Sequence, residues 1–440
     1  MDGEVLTILR DLVSISTIND PIRGIKPSID AVKYIKEFMD KYGIESHIIE
    51  SNGYYSIVGS VGSGEPQLMF LAHYDVVPTE GQNWSYDPFK LTVVDGKAYG
   101  RGALDDKSNV AAFMIALKEL SNLKPNRRVL FAFTGDEEIS GENGAYLIVK
   151  KLLNEGSLPK YLINGDGSNH TVICRRRKVF EALIRVPKKL KVVKGARYNR
   201  IFTSHYPVSQ HAHAAYFIAG VDIHPLLSAS VFVREVNAYV SRLNGDFVKS
   251  NVIPQSINLE YVVPQSSGDE YSVDLGLTDL VRSLITISKA PVNTKAFSEY
   301  GVSISPNFYY IDDKHNLVLD IRAMSTKELV EESIKTVLKE LHIDAELYVK
   351  SDVGGYMNTL RDNELVLAFE EVLNNLNLNY VVGEGAGASD SRYLVIYGVN
   401  AVDFGPVGGN MHGSDEYVDL TSLMVLPKIY LEVTKKIIFR

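Results

Sequence analysis

Apolar spacing near the start of the chain predicts helices over 3–14 and 28–42. Val5, Leu6, Ile8 and Leu9 carry the helical spacing in the first, and Ala31, Val32, Ile35, Phe38 and Met39 in the second. Ser28 reads as an N-cap and Gly43 as a C-terminal stop. Short runs at 45–50, 54–61 and 67–72 read as strands. A helix is predicted over 108–121, a continuous apolar strand over 128–134, a helix over 142–153 and a strand over 161–164. Strands alternating with helices predict an α/β core of three layers with a mostly parallel sheet. Its strands are apolar throughout because helices cover both faces.

The texture changes after about 175. A strand over 179–186 leads into a basic, loop-like stretch at 188–200 and a histidine-rich one at 205–217. A helix is predicted over 225–243, and 251–310 reads as irregular, broken by Pro254, Pro264, Pro291 and Pro306. A strand at 316–322, a helix at 326–341 and a strand at 345–350 predict an inserted α+β domain with an antiparallel sheet. The α/β pattern returns with a helix at 363–376, a strand at 400–404 and a helix at 420–437. The predicted division is one α/β domain over 1–177 and 352–440, with the α+β domain over 178–351 between them.

Composition narrows the class. The chain has 440 residues, 45% hydrophobic and 23% charged, ordinary for a multi-domain globular protein. A net charge of -8 argues against a nucleic-acid binder, so the basic run at 175–194 reads as solvated surface. One cysteine, Cys174, fits a reducing compartment. The start of the chain lacks signal-peptide features and no apolar run approaches a membrane span, which leads to an expected cytoplasmic protein with no membrane partner.

Chemistry-bearing residues gather just past strand ends, where open α/β sheets bind ligands. His73 follows one strand as a possible metal ligand, and Asp75 could fix its ring from behind; a surface pair is the plain alternative. Asp105-Asp106, in a glycine-rich turn, could bridge cations, or merely cap. Glu137-Glu138 follows a buried strand, where adjacent carboxylates repel unless cations neutralise them. One could ligate while the other takes a proton from the attacking water; the alternative is a solvated pair of acids. Asp166 ends another strand, as ligand or helix cap, and His412 lies in a glycine-rich loop. Carboxylates and imidazoles together suit zinc, cobalt or manganese.

These motifs, in this order, resemble the zinc-dependent aminoacylase and carboxypeptidase family, which includes acetylornithine deacetylases, succinyl-diaminopimelate desuccinylases, glutamate carboxypeptidases and carnosinase-type dipeptidases. The likeness runs from Phe70-Leu-Ala-His73-Tyr-Asp75 through Gly100-Arg-Gly-Ala-Leu-Asp105-Asp106-Lys107 and Glu137-Glu138 to His412. It implies two divalent metal ions, with zinc favoured over cobalt or manganese. His73 and Asp166 would hold one, Glu138 and His412 the other, with Asp105 bridging across a cis peptide to Asp106. Glu137 would be the general base and acid.

The resemblance also implies that the inserted domain is a lid and dimerisation domain, in a homodimer. Its oxyanion histidine would be His213, with His211 the competitor. Arg322 would grip a substrate carboxylate, a structural salt bridge being the alternative, and Ser389 and Asp390 would lie in a glycine-rich loop near the substrate. The family's lid Asn-x-x-Pro motif has only partial matches, at 251–254 and 303–306. The expected function is a dinuclear amide-bond hydrolase, a peptidase of dipeptides or short peptides. The first alternative is an N-acyl-amino-acid deacylase, and the second a non-catalytic binding protein on the same fold.

Overall fold

The computed structural model describes residues 2–204, 214–217 and 222–439. The chain divides into two units. The first comprises Met1–Arg176, Met357–Gly385 and Ser389–Arg440, and the second Arg177–Tyr356 with Ala386–Ala388.

The first leg carries α1 (Asp2–Ser14), α2 (Asp30–Lys41), β1 (Glu45–Ser51), β2 (Tyr54–Val61), β3 (Pro66–His73), β4 (Thr92–Val94) and β5 (Lys97–Tyr99). It continues through α3 (Lys107–Leu123), β6 (Arg128–Thr134), α4 (Ala145–Asn154), β7 (Tyr161–Asn164) and β8 (Thr171–Arg176). The second unit holds β9 (Lys178–Pro187), β10 (Leu190–Thr203), α5 (Pro225–Glu235), β11 (Tyr239–Gly245), β12 (Ser256–Pro264) and β13 (Asp269–Asp274). After these come α6 (Leu275–Ile287), β14 (Ser303–Ile311), β15 (Lys314–Ala323), α7 (Lys327–Glu340) and β16 (Glu346–Ser351). The return leg adds β17 (Met357–Asn358), α8 (Glu364–Asn375), β18 (Val381–Gly385), α9 (Arg392–Val395), β19 (Asn400–Asp403), β20 (Gly408–Gly409), β21 (Tyr417–Asp419) and α10 (Leu420–Ile438).

A nine-stranded sheet, β1-β2-β6-β3-β7-β19-β8-β17 with β18 on β8, organises the first unit. Its centre, β6-β3-β7-β19, is parallel, and β1, β2 and β17 run antiparallel to their neighbours. Successive residues of β3 serve opposite cores. Leu68, Phe70 and Ala72 pack with α1, α3, α8 and α10, while Met69 and Leu71 pack with α4 and α9. This two-sided burial is why the strand reads as an unbroken apolar run. Phe113 of α3 stacks on Phe70 at 4.5 Å and tilts against Tyr430 of α10 at 4.3 Å between ring centroids.

The second unit has two antiparallel sheets, β11-β12-β10-β13 and β14-β15-β9-β16. Here three readings of the sequence need correction. The loop-like 188–200 is mostly the 14-residue strand β10; much of it is exposed, so charges sit where a core strand would be apolar. The helix foreseen over 225–243 ends at Glu235, where Asn237 turns left-handed (φ 49°) and the chain re-enters as β11. The span 251–310 is not irregular but holds β12, β13, α6 and β14. Its prolines are punctuation: Pro264 ends a strand, and Pro306 sits where the β14–β15 register shifts, the tolerated place for a residue without an N–H. Asp274 caps α6 by accepting from Leu277 N.

Candidate metal centre

β3 ends in His73, β6 leads into the Glu137–Ile139 turn, and β7 leads through Gly165 to Asp166. These parallel strands therefore deliver their side chains beyond the same edge of the sheet. The turn before α3 supplies Asp105, whose peptide bond to Asp106 is cis. The loop between β20 and β21 supplies His412, itself in a left-handed conformation (φ 61°).

Asp105 is the centre of the cluster. Its Oδ1 lies 3.0 Å from His73 Nε2 and its Oδ2 2.9 Å from His412 Nε2. Ligand atoms of His73, Asp105 and Glu138 all fall within 4.8 Å of one another. His412 Nε2 also lies 3.2 Å from Glu138 Oε1, so the ring nitrogen faces two carboxylates at once. Glu138 Oε1 is left buried without a hydrogen bond. A buried carboxylate oxygen without a donor is costly alone and natural beside a cation. The donor set of carboxylate oxygens and imidazole nitrogens fits divalent cations of the zinc, cobalt and manganese kind.

The electrostatics match a site built for positive charge. Burial raises the Glu138 carboxyl to about 7, with His412 opposing and Asp105 reinforcing. Glu137 is also raised, first by burial, against the pull of His73 and Arg392. Burial raises Asp166 well above the usual carboxylate range, with Arg176 opposing and the charges of Glu137 and Asp105 adding to it. Burial disfavours charge on His73, yet its hydrogen bonds to Asp105 and Asp75 hold its pKa well above normal.

Asp75 does more than steady His73. His73 Nδ1 lies 3.1 Å from the Asp75 carbonyl oxygen and 3.4 Å from its carboxylate. That carboxylate accepts from the backbone N–H groups of Glu137 and Glu138, each at 3.2 Å, and from Asn19 Nδ2 at 2.8 Å. One buried side chain thus ties the histidine strand to the glutamate turn. The far side of that turn is held by Arg392 and Tyr393, which both donate to the Ser140 carbonyl.

Other supports are absent from the sequence reading. Glu416 accepts from Leu104 N and Asp105 N at 2.9 and 3.1 Å, and pairs with buried Arg101 at 2.6 Å. Arg101 and Gln82 in turn both donate to the His412 carbonyl, at 3.3 and 2.8 Å. Asp403, at the end of β19, accepts from Arg176 Nε at 2.5 Å, Ser389 Oγ at 2.7 Å and Ser391 Oγ at 2.5 Å. The strand-end logic that picks out His73 and Asp166 applies equally to Asp403.

Asp166 stands beside Arg176, which donates to its carbonyl and lies 3.6 Å from its carboxylate. Ser389 spends its hydroxyl on Asp403. Asp390 is 2% exposed, 3.7 Å from Arg392, with both oxygens lacking a hydrogen bond, and it closes against Gly141. Gly141 is left-handed (φ 70°), and a Cβ there would collide with that carboxylate. In the second unit, Arg322 forms a two-pronged pair with Asp320 at 2.9 and 3.1 Å, the arrangement of a structural salt bridge. His211 and His213 lie outside the described residues.

The model of peptidase family M20/M25/M40 matches residues 69–436. The chain belongs to this family. As an M20/M25/M40 member it is a metal-dependent hydrolase of amide bonds. It is 23% identical over 440 residues to a succinyl-diaminopimelate desuccinylase of Herminiimonas arsenicoxydans, covering 97% of each chain. In fold it resembles aminoacylhistidine dipeptidase from Vibrio alginolyticus, with TM-score 0.70 and 13% identity over 99% of this chain and 96% of that one. It also resembles an M20 family metallo-carboxypeptidase from Sulfolobus solfataricus, with TM-score 0.60 and 15% identity over 100% of both. Among the described residues no helix is long and apolar enough to cross a membrane.

Proposed function

We propose that the chain is a dinuclear peptidase of dipeptides or short peptides. The observation that carries this is Asp105, with one imidazole on each carboxylate oxygen and the Glu137–Glu138 turn beside it. His73 and Asp166 would hold one cation, Glu138 and His412 the other, and Asp105 would belong to both. Zinc is the proposed native metal, with cobalt or manganese able to replace it. A bound pair of cations supplies Lewis acidity for the amide carbonyl and for the attacking water.

Glu137 takes the proton of that water and hands it to the leaving amine nitrogen. Its raised pKa suits a group that must hold a proton and then release it. Asp75 holds the Glu137 and Glu138 amides and the His73 ring, so the base and the ligands stay in fixed register. The second unit would act as lid and dimerisation domain, with His213 the oxyanion donor. Arg322, Ser389 and Asp390 are the proposed substrate contacts. For Arg322 this requires sharing its guanidinium with Asp320. The compartment proposed is the cytoplasm, in keeping with the lone buried Cys174.

A second reading, an N-acyl-amino-acid deacylase, is favoured by the full-length likeness to a desuccinylase. A panel of free-amine dipeptides against N-acetyl and N-succinyl amino acids, with zinc, cobalt and manganese in turn, separates them. Hydrolysis confined to the acylated amino acids would overturn the peptidase reading.

A further inference from the structure

We infer that Asn109 is a positioning residue for one of the proposed cations, the one assigned to His73 and Asp166. The inference rests on the two-cation reading above and adds a residue to it. Asn109 lies in the first turn of α3, is fully buried, and has both amide hydrogens committed. One goes to Asp106 Oδ1 and the other to the Gly165 carbonyl, both at 2.6 Å. Asp106 Oδ2 accepts from the backbone N–H of His73 at 3.2 Å. A continuous path therefore runs from His73 through Asp106 and Asn109 to the residue that precedes Asp166.

The orientation of the amide is fixed from behind. Tyr430 Oη lies 2.5 Å from Asn109 Oδ1 and 2.9 Å from the Phe404 carbonyl oxygen. This leaves the amide nitrogen facing Asp106 and Gly165. Residue 165 must be glycine for the approach, because a Cβ there would lie 2.6 Å from Asn109 Cβ and 2.7 Å from Asp106 Oδ2. His412 and Glu138 depend on other supports, namely Arg101, Gln82 and Asp75. Asp106 also adjoins Asp105, which would belong to both cations, so disturbing Asn109 should weaken the His73 step well beyond the His412 step.

The test uses metal-free full-length protein titrated with zinc against a competing chromogenic chelator. His73→Ala and His412→Ala identify which binding step belongs to which histidine. Asn109→Asp keeps the size but loses the donors and sets a carboxylate against Asp106 and the Gly165 carbonyl. It should weaken the His73 step by 10- to 100-fold, the range for residues behind metal ligands, and leave the His412 step within about threefold. Tyr430→Phe should weaken the same step by a smaller factor, and it carries the test alone should Asn109→Asp not fold. Equal weakening of both steps, no weakening of either, or weakening confined to the His412 step would overturn the inference. Wild-type protein that takes up fewer than two zinc ions overturns the two-cation reading itself, a result no variant can imitate.

Discussion

His73 and His412 share one carboxylate: Nε2 of the first lies 3.0 Å from Asp105 Oδ1 and Nε2 of the second 2.9 Å from Asp105 Oδ2. One arrives on the end of β3, the other on a loop between β20 and β21. What brings them together is the sheet edge on one side and the Arg101–Glu416 pair on the other. Disturbing either support should therefore register at the site.

Glu137→Gln should retain bound metal and thermal stability yet lower kcat by about a thousandfold, within the range for loss of a general base. Metal content and a melting curve measured beside the kinetics check this. Undiminished turnover would remove Glu137 from the mechanism.

Asp75→Ala should be felt in two places, because its carboxylate faces His73 and anchors both glutamate amides. Metal affinity should fall by 10- to 100-fold, and kcat should fall even at saturating metal. A variant with only the first defect would confine Asp75 to the histidine.

Glu416→Ala leaves the Arg101 guanidinium buried without its partner. Breaking such a pair costs about 3–5 kcal/mol, measurable as a lower urea midpoint. Arg101→Met combined with Glu416→Met should recover much of that stability, but not the placement of Asp105, so metal binding should stay weak.

His224 of the second unit gives a pH prediction. It is 1% exposed, faces Asn307 Oδ1 at 3.2 Å, and burial pulls its pKa from 6.5 to about 4. The fold therefore favours the neutral ring, and the unfolded chain binds the proton more readily. Stability contributed by this residue is complete above about pH 6.5 and is lost as pH falls towards 4. The full shift is worth about 3 kcal/mol. Urea unfolding of wild type and His224→Gln at pH 7 and pH 5 should show a steeper loss in wild type; parallel losses would exclude His224 as the cause.

The sequence was most readable where chain geometry alone sets the chemistry. His73, Glu137, Glu138 and Asp166 follow apolar strands, and strand ends are where α/β sheets place ligands. Asp105 and His412 were readable through motif likeness. Arg101, Asn109, Asp403 and Glu416 were not, because each is an ordinary polar residue until folding supplies a partner far along the chain. The second unit was the least readable. β10 carries Leu190, Lys191 and Val192 all exposed, so its strand pattern lacks the two-residue alternation that a buried face imposes.

β19 lies between β7 and β8 in the sheet, although more than the whole second unit separates it from them along the chain. A ribosome that has released only the first leg has thus made two strands with a slot between them and raw hydrogen-bonding edges facing it. Such edges invite association with other chains, so the young polypeptide is exposed to it until β19 emerges and fills the slot.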